Sequence, residues 1–105
     1  MSGHHHFQLG ELARLSARLD DLLSVCCSNE LPPDTADEVA ATAGEIMLLL
    51  ADHGGDETVR GALDDARRLR EIARTLHPER ERLTEAGVSL THDVERIIRE
   101  EKRAA

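Results

Sequence analysis

Val39–Ala51, VAATAGEIMLLLA, is the most apolar run of this 105-residue chain and decides how the rest must be arranged. A helix with one wet face places apolar residues at i, i+3, i+4 and i+7. Here Ile46, Met47, Leu48, Leu49 and Leu50 are consecutive. At ~100° per residue, five positions go more than once around a helix. The turn is therefore expected to be covered on several sides, by neighbours from the same chain or by a second copy. The run is too short for a bilayer, which takes about 20 apolar residues.

Working outward, the composition points to helices as the covering elements. Phe7 is the sole aromatic residue. The core must then be built from Leu, Ala, Ile, Val and Met, and Leu and Ala rank high in helix propensity. Strands favour aromatic and β-branched side chains instead. A hydrophobic fraction of 40% with 32% charged residues is globular and not disordered. The length suits one domain.

The flanking segments show helical periodicity. From about Phe7 to Cys27, the residues Leu9, Leu12, Leu15, Leu19, Leu22 and Cys26 form a continuous apolar seam. Leu31-Pro32-Pro33 then forces a loop. The second helix is expected to start near Asp34 or Thr35, where Thr35 and Glu38 have the capping-box spacing. Its inner face is Ala36, Val39, Ala43, Ile46 and Leu50. It should end at His53, with Gly54-Gly55 as a left-handed stop. Asp56 is the expected N-cap of a third helix with the seam Val59, Ala62, Ala66, Leu69, Ala73 and Leu76, flanked by Leu63 and Ile72. Asp64 and Asp65 pair with Arg68 on its wet side, at about 0.2–0.5 kcal/mol each.

His77-Pro78 either kinks this helix or stops and restarts it. The piece through Leu83 and Ala86 is expected to end at Gly87. A last short helix would run from about Thr91, its cap, to Lys102, with Val94, Ile97 and Ile98 as its apolar face. The fold expected is all-α: an antiparallel helical bundle of three long helices plus a short C-terminal one, with a bend or break at Pro78. Residues 1–6 read as a flexible N-terminus, with His4–His6 either a tag remnant or native, and residues 7–105 as the single bundle domain. A polar start and no long apolar run predict a cytoplasmic protein without a membrane segment.

The net charge is −8 and unevenly spread. No Lys or Arg occurs between Arg18 and Arg60, whereas that gap holds ten acidic residues, and the segment from Thr58 onward is close to balance. Within the gap, Glu38, Glu45 and Asp52 recur every seven residues and line one stripe of the second helix. Such a stripe either solubilises the helix or meets a basic partner surface. Direct nucleic-acid binding is disfavoured, because Phe7 is the sole aromatic, the overall charge is negative, and the Arg residues at 67, 68, 70 and 74 and at 96, 99 and 103 are interleaved with acids.

Sites for chemistry are not visible. His4, His5, His6, His53, His77 and His92 lack metal-ligand spacing with each other or with Cys26 and Cys27. No Glu-x-x-His pair of the di-iron bundles occurs. Cys26 falls on the apolar seam as a small core residue. Cys27 follows it near a helix C-terminus, whose partial negative charge raises a thiol pKa. Phosphate loops and nucleophile elbows are missing. No cofactor, metal or catalytic residue is therefore assigned.

The expected function is non-enzymatic: a small acidic helical adaptor or regulator, homodimeric, acting through protein–protein contacts of Met47, Leu48 and Leu49. An alternative is an acidic inhibitor or nucleic-acid mimic, of the phage or toxin-system type, that presents Glu38, Glu45 and Asp52 to a basic protein. A third reading is a metal- or thiol-dependent sensor using Cys26, Cys27 and the histidines.

Overall fold

A computed structural model describes residues 8–26, 32–53, 55–75 and 78–104. Four helices follow one another: α1 (Leu9–Cys26), α2 (Pro33–Leu50), α3 (Glu57–Ala73) and α4 (Arg80–Ala104), with a short 3-10 turn at Ala51–His53. There is no strand among the described residues. The first three helices lie where the apolar seams place them. In α1, Leu12, Leu15, Leu19, Leu22 and Cys26 are buried and Leu9 packs against them from the edge. In α3, Val59, Ala62, Ala66, Leu69 and Ala73 are buried. Leu76 lies outside the described residues, as do Phe7, Cys27, Gly54 and His77.

The start of α2 differs from the expectation in its cap. α2 starts at Pro33, one turn earlier in its capping than Thr35 suggests. Pro32, extended at φ −64° and ψ 142°, occupies the N-cap with no side-chain capping bond. Its carbonyl accepts from the Thr35 amide at 3.0 Å, and Thr35 is buried. A proline at the first helical position loses nothing, because that amide has no helical partner and its φ is preset. At the other end, α2 tightens into the 3-10 turn that ends at His53, as expected; Gly55 has no positive φ, and Gly54 lies outside the described residues. α3 does start as the sequence indicates: Asp56 accepts from the Thr58 amide at 2.9 Å.

Pro78 marks a break. α3 finishes at Ala73, and α4 begins at Arg80 with the Leu83 amide donating to the Glu79 carbonyl at 2.9 Å. Beyond it the expected division at Gly87 is overturned. α4 runs unbroken for 25 residues and is the longest helix, not a short C-terminal one. Thr91 is no cap; it is buried in mid-helix, where its hydroxyl donates to the Val88 carbonyl at 3.0 Å. Gly87 serves packing instead of termination. A Cβ built there would lie 2.5 Å from Leu23 Cδ2 and 2.8 Å from Cδ1, so its absence lets α4 approach α1.

The helices close a ring. α1 packs on α2, α2 on α3, α3 on α4 and α4 back on α1, giving an elongated body of 48 × 20 × 17 Å. One apolar core runs along its axis, with Leu12, Leu19, Ile46, Leu69, Leu83 and Leu90 fully enclosed. The buried Thr42 hydroxyl, like that of Thr91, is satisfied within its own helix, donating to the Glu38 carbonyl at 2.8 Å. No helix of the described residues is long and apolar enough to cross a membrane.

Candidate protein-contact surface

The five-residue apolar run resolves into separate directions. Ile46 and Leu50 point into the core and are fully enclosed. Met47 and Leu49 are half-buried and pack against the core from its margins. Leu48, on the outer side, is 77% exposed. Within one copy, the described residues therefore cover this turn on the core side and leave Leu48 outside. Steps of ~100° send residues 46 and 50 inward and 48 to the opposite side, and the ring of four helices uses only one side of α2.

The outer side of α2 is nevertheless apolar over three turns. Ala41, Gly44, Leu48 and Ala51 follow at spacings of 3, 4 and 3, a second seam opposite the first. A Cβ added at Gly44 would meet nothing within 4 Å, so this face is open. With Met47 and Ala40 it floors a groove of about 660 Å³ between α2 and α3, whose far wall is Leu63, Arg67 and Arg70. The second seam explains why the run looked apolar all round: α2 carries two stripes, only one of which the chain itself covers.

Glu38 and Glu45 are exposed along the α1 side of this face, whereas Asp52, also exposed, lies beyond the end of α2 in the 3-10 turn. They do not form a bare negative stripe. Arg18 Nη2 lies 4.0 Å from Glu38 Oε1. Arg14 donates from Nε and Nη2 to Glu11 at 2.8 Å each. Its pKa is raised first by that bond to Glu11, with a lesser contribution from the charge of Glu45. The same bond holds the Glu11 carboxyl below its usual range. Arg14 and Arg18 thus sit beside the stripe, because they flank the α1 seam on the side that meets α2.

Arg67 and Arg70 complete the site on the opposite side, and sequence reading did not join them to the apolar run. The available signal was spacing: Leu63, Arg67 and Arg70 share one edge of α3, the edge flanking its core seam. Arg67 Nη1 also reaches Asp64 Oδ1 at 3.8 Å, an exposed pair of little energetic weight. That pair stands in place of the expected Asp64–Arg68 contact.

Asp65 was expected on the wet side of α3 with Arg68. It faces α4 instead, accepting from Ser89 Oγ at 2.9 Å. Asp93, one turn beyond Ser89, is half-buried beside it. Burial, and then the hydrogen bond and charge shared with Asp65, push the Asp93 carboxyl up to about 7, against an opposing effect of Arg96. The Ser89–Asp65 bond and the neighbouring Asp93 carboxyl link α3 to α4.

The remaining candidates are dispersed. Cys26 is a buried thiol in the core, and His92 is exposed on α4. His4, His5, His6, His77 and Cys27 lie outside the described residues. Among the described residues, no three His, Cys, Asp or Glu side chains are grouped to hold a metal. No family model, curated protein or solved structure matches this chain. What fold and surface define is the class: an all-α protein whose described residues form four packed helices, with an apolar face of α2 outside the core.

Proposed function

We propose that this chain is a small acidic adaptor or regulator that acts through protein–protein contact and not catalysis, as a homodimer joined at the outer face of α2. The observation that carries the reading is Leu48, 77% exposed at the centre of a seam that continues through Ala41, Gly44 and Ala51. An isolated exposed leucine is ordinary, but one within a helical apolar stripe beside a groove marks a contact surface. Consistent with an antiparallel bundle, α1 and α2 run in opposite directions. Arg18 faces Glu38 while Arg14 feels Glu45, so positions descend in α1 as they ascend in α2. Such a bundle leaves each helix one outward face for a partner.

The inhibitor reading has less support, because it uses Glu38, Glu45 and Asp52 alone and leaves the apolar seam at Leu48 without a role. Native mass spectrometry over a range of protein concentrations tests the dimer, with wild type and Leu48→Asp compared. A wild-type dimer in reductant and a folded monomer for the variant are expected. A monomer for both chains at every concentration would remove this reading.

A further inference from the structure

The outer face of α2, with the groove that Glu45 helps to line, has two unlike edges, which act as its rims. Glu38 and Glu45 line the α1 side of the outer α2 face, next to Arg18 and Arg14. Arg67 and Arg70 stand on the α3 side, across Ala41, Gly44 and Leu48. An apolar floor with an acidic rim and a basic rim is complementary to itself, but only in one orientation. A two-fold axis across the groove keeps left on left, so arginines would meet arginines and glutamates would meet glutamates. A two-fold axis along the groove exchanges left and right. It lays the acidic rim of one copy on the basic rim of the other, at both rims at once.

We infer that the occupant of this groove is a second copy of the chain, related by a two-fold axis parallel to α2, with Glu38 and Glu45 of each copy facing Arg67 and Arg70 of the other. This rests on the homodimer reading above and specifies how that dimer is built. The floor suits it, since Gly44 and Ala41 project little and allow helices to approach closely, while Leu48 and Met47 supply the apolar area. The rims then set orientation more than strength, as charges at the edge of an apolar contact generally do.

Two double variants test it: Glu38→Arg with Glu45→Arg, and Arg67→Glu with Arg70→Glu. All four side chains are exposed, so helicity by circular dichroism should stay at the wild-type level. Each variant alone has two rims of one sign, and its homodimer should weaken on the order of tenfold or more. Mixed in equal amounts, the two should form a heterodimer of wild-type affinity, resolved by mass in native mass spectrometry. If both variants self-associate as well as wild type does, while Leu48→Asp still abolishes the dimer, the axis is wrong and the homodimer reading survives. If wild type is monomeric throughout, both fail together, and the groove belongs to another partner or to none.

Discussion

Gly87 of α4 lies so close to Leu23 of α1 that a methyl group in its place would stand 2.5 Å from Leu23 Cδ2. Leu23 is itself only 5% exposed and has little room to turn away. Overpacking of this kind costs about 1–3 kcal/mol, against a gain in helix propensity of about 1 kcal/mol for alanine over glycine. Gly87→Ala should therefore lower stability by about 1 kcal/mol net. Gly61 in α3 is the control, because a Cβ there meets nothing within 4 Å. Gly61→Ala should raise stability by about 0.5–1 kcal/mol in the same urea titration. Stabilisation by both substitutions would show that α1 and α4 are less tightly apposed.

The same contact explains why the sequence suggests two pieces where α4 is one helix. A glycine followed by Thr91 and Asp93 carries the local marks of a stop and a cap, and only the approach of α1 assigns Gly87 another purpose. Core seams are visible because they are periodic within one helix, as Leu12, Leu15, Leu19 and Leu22 are. The role of Gly87 depends on a residue 64 positions away, which no local pattern contains. Pro32 illustrates the intermediate case: two prolines in a row do forbid helix continuation, but they also permit a start, and which holds depends on where α2 must begin to bury Ala36 and Val39.

Asp93 gives the protein a pH-dependent stability with a defined sign. Its folded-state carboxyl is pushed up to about 7 from an ordinary value of 3.8. Between these values the native state holds a proton that the unfolded chain has given up. Stability should therefore fall as pH rises from about 4 to 7 and level off above. Partial exposure and screening reduce the full linkage value, and about 1–2 kcal/mol is expected. Asp93→Asn, which keeps the hydrogen-bonding shape without the charge, should flatten this slope and melt higher than wild type at pH 8. A slope that persists in the variant would assign the effect to other carboxylates.

At the surface, the sequence made the apolar run visible but not which of its residues stays outside. Met47, Leu48 and Leu49 look alike in composition, and their separation into two margins and one exposed position follows from how many helices surround α2. With three neighbouring faces covered, Leu48 would have been internal. The acidic residues were equally visible through their seven-residue spacing. Their neighbours Arg14 and Arg18 were not, because the register between α1 and α2 is a tertiary fact.

The cap of α3 was readable and has a measurable weight. Asp56 accepts from the Thr58 amide at the exposed start of the helix. Asp56→Ala leaves that donor to water and should cost about 1 kcal/mol, with Asp56→Ser recovering most of it. Thermal melts of the three proteins check the order. An alanine variant as stable as wild type would mean that α3 is held by its core seam alone.

Two residues of α2 separate the work of folding from that of contact. Ile46 is fully enclosed, whereas Leu48 is 77% exposed two positions later. Ile46→Ala leaves a cavity in the core and should cost about 2–5 kcal/mol at any protein concentration. Leu48→Ala removes nothing from that core, so in dilute protein its melting should match wild type within about 0.5 kcal/mol. At high concentration the comparison changes. A dimer that buries Leu48 stabilises the native state by mass action, and the wild-type melting temperature should climb with concentration. Leu48→Ala should blunt that climb. If dilute Leu48→Ala is instead as damaged as Ile46→Ala, then Leu48 supports the monomer fold, and the outer face of α2 is not a free surface. A wild-type melting temperature that never moves with concentration would argue equally against the dimer.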